Sequence, residues 1–414
     1  MKVEIICTGD EVLSGKIINS NYSFMSSKLE EAGISVIWGT TVGDDKQDLL
    51  EAFSNASDRA DAVIVNGGLG PTVDDLSQEV ASIASGSPLE LREDWLELME
   101  KFFIKRGRVM TENNKKQAML PKSAELINNP IGTACGFAVN VKQARFFFTP
   151  GVPRELFLMM EKEIIPRLLK LSGENIITKL KTFHSYGIGE SRADTMLKDV
   201  ITLAPNKNVK LGFQAHFPQL ETKLFIRASS NEEILANLVP VEEEVRKRLG
   251  NYVFAEDKDT LEESIFDLLK RAGQSISIVE CLTRGGINSR LSEVDKKGKS
   301  LKFSINSNNL SVLAKQLDIN EDITPSLEIN EKMSSSMRLR NKTDIALSVL
   351  INYTEKNEAD TYITLTTDKE IKSRIGRFIG DEHRITLGSV EMSLDCLRRH
   401  FNKLPFDEKS DFER

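Results

Sequence analysis

The sequence is poor in the residues that build disulfides and zinc sites. Among its 414 residues there are only four cysteines and four histidines. The histidines show no ligand spacing, and the cysteines are far apart with no C-x-x-C pair: Cys7, Cys135, Cys281 and Cys396. These absences exclude a disulfide framework and a structural zinc site, and they favour reduced thiols in a cytoplasmic protein.

The chain also lacks a long apolar run and a surplus of basic charge. No segment is apolar and long enough to span a membrane, and no signal segment precedes the first strand-like residues. The net charge of −7 argues against a general nucleic-acid binder, because no excess of Lys and Arg neutralises phosphates. We therefore expect neither nucleic acid nor membrane as a partner.

The most informative segment is a glycine-rich turn. The apolar residues 62–65 predict a buried strand, and the sequence GGLGPTVDD follows at residues 67–75. Three glycines let the backbone approach a ligand closely, and the helix that follows offers N–H groups to an anion. Asp74 and Asp75 suit a divalent cation, since hard cations take carboxylate oxygens and bridge to phosphate. The pattern indicates nucleotide or pyrophosphate chemistry.

The spacing of this turn excludes two familiar motifs. It matches neither G-x-x-x-x-G-K-[ST] nor G-x-G-x-x-G, so it predicts neither a P-loop nor an ordinary dinucleotide fingerprint. A structural alternative stays open at this point, because an Asp at a helix N-terminus after a tight turn is a common cap.

The order of segments predicts an α/β protein with three parts and a tail. Strand-like and helix-like segments alternate through residues 1–172, which predicts a mostly parallel sheet with helices on both faces. Ligands bind beyond the carboxyl ends of such strands. Residues 173–256 predict a small α+β module, residues 257–402 resume the α/β pattern, and the polar residues 403–414 predict a loose tail.

Several motifs occur in an order and spacing that resemble one family. They are TGDE at 8–11 with Gly15 and Asn21, the turn at 67–75, NKKQAMLP at 114–121, NPIGTA at 129–134 and PGVPRE at 150–155. Together with GIGES at 187–191, they resemble the competence/damage-inducible protein family, CinA, over essentially the whole chain.

The resemblance implies a three-layer first domain of the molybdopterin-binding fold, as in MogA and MoeA, and a homodimer. It implies that this domain hydrolyses the pyrophosphate bond of ADP-ribose or a related dinucleotide, with a divalent metal of the Mg, Mn or Co type, within NAD metabolism. It also implies a C-terminal domain of the nicotinamide mononucleotide (NMN) amidohydrolase type. Pyrophosphate hydrolysis needs charge neutralised on both phosphoryl groups and a water delivered in line.

The expected site residues lie in these motifs. The predicted catalytic acids are Asp75, Asp74 and Glu11, and the first two are also the predicted metal ligands; Asp75 leads because it matches the aspartate that ends the glycine loop of MogA-like proteins. The predicted ligand-binding residues are Thr8, Gly9, Gly67, Gly68, Gly70, Thr72, Lys116, Gln117, Asn129, Gly132, Pro150, Gly151, Val152 and Glu155.

Each expected role has a simpler alternative. The glycines would offer backbone N–H groups, Lys116 would pair with phosphate, and Gln117 or Asn129 would bind ribose or base. Equally, Glu11 is a plausible helix cap, Lys116 a solvated charge, and the Asn129-Pro130 pair a turn.

The C-terminal segment departs from the family at its active site. Active members carry AESCTGG with a serine nucleophile, whereas this chain has VECLTRGG at 279–286, which puts Cys281 at the nucleophile position. Arg284 replaces the first glycine and should obstruct a tight turn. Asn306 and Ser311 replace a Tyr and a Lys, and SVLINY at 348–353 replaces the TGIAGP loop. We predict a degenerate site at Cys281, Thr283, Asn306 and Ser311, without amidohydrolase activity, in a domain that keeps its fold.

The sequence therefore leaves three functions open. The first is metal-dependent hydrolysis of a dinucleotide pyrophosphate by the N-terminal domain. The second is a regulatory or scaffold protein that binds a nucleotide or pterin without turnover. The third is residual NMN amidohydrolase activity, which the substitutions around Cys281 disfavour.

Overall fold

The computed structural model describes residues 1–173, 177–320 and 323–414. The chain divides into two compact units, the first comprising residues 1–178 and 227–231 and the second residues 179–226 and 232–414. Among the described residues, every helix is too short or too polar to cross a membrane.

The first unit is an α/β domain. Its strands are β1 (Lys2–Thr8), β2 (Ser35–Val42), β3 (Ala62–Asn66), β4 (Leu89–Leu91), β5 (Met119–Pro121), β6 (Glu125–Ile127), β7 (Gly136–Val141) and β8 (Ala144–Thr149). Its helices are α1 (Asp10–Leu13), α2 (Ser20–Glu31), α3 (Lys46–Arg59), α4 (Ser77–Ser85), α5 (Glu93–Lys105), α6 (Pro153–Met159) and α7 (Ile165–Ser172). A 3-10 helix spans Glu112–Ala118, and a π-helical turn at Met160–Ile164 joins α6 to α7.

Six of these strands form one sheet in the order β2-β1-β3-β8-β7-β6. The first four run parallel, and β7 and β6 are antiparallel to their neighbours. Along β3, Val63 and Val65 join the core on one face while Ala62 and Ile64 join the core on the other. Burial on both faces explains why β3 is an unbroken apolar run. The expected mostly parallel sheet is confirmed.

This sheet brings three strand ends together. Cys7 of β1 is in register with Asn66 of β3, and Asn66 is in register with Thr149 of β8. The loops that leave these strands therefore start side by side at one edge.

The remaining elements belong wholly or mainly to the second unit. The strands are β9 (Ile177–Tyr186), β10 (Val209–His216), β11 (Gln219–Ala228), β12 (Val253–Glu256), β13 (Ile276–Cys281), β14 (Leu301–Ser307), β15 (Ile345–Glu355), β16 (Glu358–Thr366) and β17 (Ile371–Ile379). The helices are α8 (Glu190–Leu197), α9 (Asn231–Leu249), α10 (Leu261–Ala272), α11 (Gly286–Val294), α12 (Leu310–Gln316), α13 (Leu327–Asn341) and α14 (Glu382–Phe401), with 3-10 turns at Val200–Leu203 and Gly250–Tyr252.

The second unit contains two sheets. One has four strands in the order β10-β11-β9-β12, which gives the small α+β module. The other has five strands in the order β14-β13-β15-β16-β17, with β14, β13 and β15 parallel. Residues of α10, α11 and α14 pack in one core and residues of α12 and α13 in another. The C-terminal segment thus has the α/β fold expected for it.

The tail at 403–414 is bound rather than loose, which corrects the expectation from its polarity. The Asp411 carboxylate accepts a hydrogen bond of 2.8 Å from Arg192. The Glu413 carboxylate pairs with Arg374, and both side chains are almost fully buried, at 4% and 3% exposed. Composition misled here because charged residues are buried when each meets an opposite charge.

Candidate ligand-binding cleft

A cleft of about 630 Å³ lies at the carboxyl edge of the six-stranded sheet. Its lining comes mainly from the loops that follow β1, β3 and β8, as expected for a parallel sheet. The predicted residues that line it are Thr8, Gly9, Glu11, Gly67, Gly68, Gly70, Thr72, Asp74, Asp75, Gln117, Pro150, Gly151, Val152 and Glu155.

The glycine turn needs glycine at its first two positions. Gly67 and Gly68 have φ values of 113° and 68°, which side chains rarely adopt. A Cβ on Gly67 would also lie 2.5 Å from Thr8 Oγ1. The N–H of Gly67 donates to the Thr149 carbonyl at 3.0 Å, so this donor is engaged at the sheet edge.

Asp75 closes the second half of the turn. Its Oδ2 accepts hydrogen bonds from the Thr72 backbone N–H, at 2.8 Å, and from Thr72 Oγ1, at 2.6 Å. Lys116 does not line the cleft, and its ammonium donates to the Thr72 carbonyl. The contacts of Asp75 and Lys116 with Thr72 hold the turn in shape.

One wall of the cleft concentrates negative charge. Besides the three predicted acids, Asp44 lines it. Burial raises the pKa of Asp44, and so do the neighbouring carboxylates of Asp10, Glu11 and Asp74. Asp44 was missed, although the GDD sequence at 43–45 follows β2 and therefore reaches the same sheet edge. A cation would relieve this repulsion.

The wall does not contain a complete protein cage for a metal. Within the described ranges, no three His, Cys, Asp or Glu side chains are grouped as metal ligands. Mg²⁺ is commonly held by one or two carboxylates together with substrate phosphates. The carboxylates here fit a metal that arrives with an anionic ligand.

The floor of the cleft contains two asparagines that the site prediction omitted. Asn66, at the end of β3, is 4% exposed, and its Nδ2 donates to the Pro150 carbonyl at 2.7 Å. Asn21 Nδ2 donates to Asn66 Oδ1 at 2.9 Å and to the Gly151 carbonyl at 2.7 Å. The sequence did contain a signal for Asn66, because a polar residue at the end of an otherwise apolar strand indicates a site residue.

Asn129 and Gly132 lie outside the lining of the cleft. Asn129 Nδ2 donates to the Ala134 carbonyl at 2.9 Å and to Glu155 Oε2 at 2.7 Å, and its Oδ1 accepts from Gly132 N at 3.1 Å. This geometry agrees with the simpler alternative, a turn, because the whole amide is used within it.

Gln117 lines the cleft and holds the glycine turn in place by a hydrogen bond. Its Nε2 donates to the Leu69 carbonyl at 3.2 Å, and its Oε1 accepts from Thr133 Oγ1 at 3.0 Å.

Comparison with known proteins agrees with this domain order. The family model of a probable molybdopterin binding domain matches residues 4–170, and that of the damage-inducible protein CinA KH domain matches residues 180–255. A CinA-like protein from Shewanella woodyi is 44% identical over 294 residues, which are 70% of this chain and 67% of the relative. One from Shewanella sediminis is 42% identical over 291 residues, with the same two shares. The chain belongs to the CinA family.

A solved structure also resembles part of this CinA-family chain. The CinA protein of Thermoplasma acidophilum is 34% identical and aligns over 40% of this chain and 97% of its own, with a TM-score of 0.37. The residues that line the cleft fall within the range that the molybdopterin-binding family model matches.

The residues that the sequence analysis assigned to a degenerate amidohydrolase site lie in the second unit. Cys281 ends β13 and is 1% exposed, and burial raises the pKa of its thiol to about 11. Thr283 Oγ1 donates to Glu280 Oε2 at 2.6 Å. Asn306 on β14 and Ser311 on α12 are exposed.

The structure departs from the sequence-based expectation at Arg284 and at residues 348–353. Arg284 does not obstruct the turn, because it adopts a left-handed φ of 57° with its guanidinium in solvent, paired with Glu382 at 2.5 Å. Residues 348–353 form no loop, since β15 continues through them and pairs with β16.

Proposed function

We propose that the first unit hydrolyses the pyrophosphate bond of ADP-ribose or a related dinucleotide with the help of a divalent metal. The observation that carries the proposal is that the carboxylates of Glu11, Asp44, Asp74 and Asp75 line one cleft together with the glycine turn. Carboxylates on one wall would repel an anionic ligand that binds alone. They suit a divalent cation that binds together with two phosphoryl groups.

Asp75 and Asp74 are the proposed metal ligands. Asp75 is preorganised, because Thr72 fixes one oxygen of its carboxylate by two hydrogen bonds. When bound, the metal supplies charge neutralisation at the phosphoryl oxygens and lowers the pKa of a coordinated water.

Glu11 is the proposed proton acceptor. It lies on α1, directly after the Gly9 turn, and lines the cleft beside the metal ligands. A carboxylate there takes the proton of the attacking water.

The test is release of AMP from ADP-ribose by the purified protein with Mg²⁺, Mn²⁺ or Co²⁺. We expect Asp75→Asn to lower kcat about 100-fold or more, since it removes a charge that the reaction requires. Asp58→Asn is the matched control, because Asp58 is exposed on α3 and pairs with Lys142. No AMP from the wild type, or equal rates in the two variants, would contradict the proposal.

A second candidate is a module that binds a nucleotide or pterin without turnover. It is favoured by the lack of a three-residue metal group within the described ranges, and by the structural use of Asp75 Oδ2. Tight AMP binding without hydrolysis of any member of a dinucleotide panel would select it.

A further inference from the structure

The side-chain amide of Asn21 is locked in one orientation. Both of its N–H groups are used, toward Asn66 Oδ1 and the Gly151 carbonyl. Asn66 is fixed in turn, because its own Nδ2 donates to the Pro150 carbonyl and to Thr149 Oγ1, at 2.7 and 3.2 Å. A flipped Asn21 would place its oxygen against two other acceptors, so the orientation follows from the network.

The lock leaves one atom unused. Asn21 Oδ1 is buried and has no hydrogen-bond partner, and Asn21 lines the cleft. Thr8 Oγ1 is in the same condition, on a residue that is only 7% exposed and also lines the cleft. Buried polar atoms are rarely left unpaired, so each exception calls for an explanation, and at a cleft a ligand is one possible partner.

The chemistry of the two atoms differs. A hydroxyl such as that of Thr8 donates or accepts, whereas the Asn21 oxygen only accepts. A phosphate oxygen that carries no proton is also only an acceptor, so it cannot pair with Asn21. A sugar hydroxyl or an N–H can.

We propose that Asn21 Oδ1 accepts a hydrogen bond from a hydroxyl group of the ligand's sugar and makes the cleft selective for ribose over deoxyribose compounds. The inference rests on the proposed function, because it takes the ligand to be a nucleotide. This hydrogen bond also orients the ligand. Its ribose lies over the asparagines, and its phosphates point toward the glycine turn and the carboxylates.

Equilibrium binding tests this without any turnover. Two ligand pairs serve as probes, in the presence of Mg²⁺: AMP with 2′,3′-dideoxy-AMP, and ribose 5-phosphate with 2-deoxyribose 5-phosphate. The wild type should bind the hydroxylated member of at least one pair about tenfold more tightly, the size of one buried hydrogen bond. Asn21→Ala should reduce that ratio to about one, even if the affinity for both members falls.

Asn19→Ala is the matched control. Asn19 also lines the cleft, but its Oδ1 already accepts from the Tyr22 N–H at 3.0 Å, so the ratio should stay at the wild-type value. Equal affinities within both pairs for the wild type would overturn the inference without any variant, as would a ratio that survives Asn21→Ala.

The assay separates this inference from the proposed function. If the wild type hydrolyses ADP-ribose but shows no hydroxyl preference, the Asn21 inference alone fails. If it shows the preference but releases no AMP, the hydrolase proposal alone fails.

Discussion

All four thiols of the chain are buried. Burial raises the pKa of Cys7 and of Cys281, the latter to about 11, and it raises the pKa of Cys135 and Cys396 to about 12. Because the thiolate is the reactive form, these groups remain protonated and inert near neutral pH. Cys281, which was expected at a nucleophile position, therefore lacks the environment of a nucleophile.

We expect a thiol reagent to titrate no cysteine of the native protein at pH 8 within minutes, and four after unfolding in guanidinium. Incubation with NMN should release no ammonia, and Cys281→Ala should behave like the wild type. Rapid native labelling of one thiol, together with ammonia release that Cys281→Ala abolishes, would show a working amidohydrolase instead.

Individual site residues were predictable where a motif carried them. Glu11 and Thr72 belong to such motifs and line the cleft. Asn66 and Asp44 were not found, because their place in the cleft follows from strand order, and a sequence does not state which strands become neighbours. Lys116 does not line the cleft, because its long side chain reaches a carbonyl of the turn, so its pairing with phosphate stays a prediction.

Among the elements, the connection between β13 and α11 depends on one carboxylate. Glu280 is fully buried and accepts from Thr283 Oγ1 and from the backbone N–H groups of Ile287 and Asn288, at 2.6, 3.0 and 2.9 Å. It thereby caps the start of α11, where Gly285 provides no side chain.

Replacement of Glu280 by Gln should therefore lower the free energy of unfolding by about 1–3 kcal/mol, because an amide NH₂ would face a backbone N–H. Urea denaturation measures this, with the exposed Glu293→Gln on α11 as control. A loss no larger than that of the control would show that the cap is dispensable.

The effect should depend on pH in a defined direction. Burial raises the pKa of Glu280, so above about pH 4 the folded protein binds this proton more readily than the unfolded chain. The stability that this carboxyl contributes is complete below about pH 4 and decreases as pH rises through the folded-state pKa. The difference between wild type and Glu280→Gln should widen from pH 7 to pH 5.

Whole elements were easier to predict than their ends or their pairing. The apolar run at 62–65 located β3 to within one residue of its observed end at Asn66, because burial on both faces imposes such a run. Arg284 was expected to obstruct a tight turn, yet its long side chain points to solvent and the residue adopts a left-handed φ there. The energetic cost of a left-handed φ depends on the space around the side chain, which the sequence alone does not reveal.

At the scale of the second unit, the C-terminal residues act as a strap across the α+β module and the five-stranded sheet. Asp411 binds the start of α8 through the Gly189 N–H, at 2.9 Å, and Glu413 meets Arg374 of β17. Glu408 pairs with the buried Arg399 of α14 at 2.5 Å. The buried Arg374 thus meets its carboxylate partner only in these last residues, whereas Arg399 also pairs with Asp395 on its own helix.

Glu413→Gln should lower the free energy of unfolding of this unit by about 3 kcal/mol, because it leaves the Arg374 charge buried and unpaired. Glu382→Gln breaks an ion pair whose side chains are 60% and 65% exposed, and it should cost about 1 kcal/mol or less. Chemical denaturation of both variants measures the free energy of unfolding. Equal decreases in the two variants would show that the strap contributes no more stability than an exposed ion pair.

The strap also ties the second unit to the timing of protein synthesis. A nascent chain leaves the ribosome from its N-terminus, and domains fold as they emerge. The first unit has nearly all of its sequence once β9 has begun. Arg374 of the second unit is translated before Glu413, its buried partner, so a ribosome that stalls between them would present an unfinished unit with one uncompensated arginine, a form suited to recognition by chaperones and proteases.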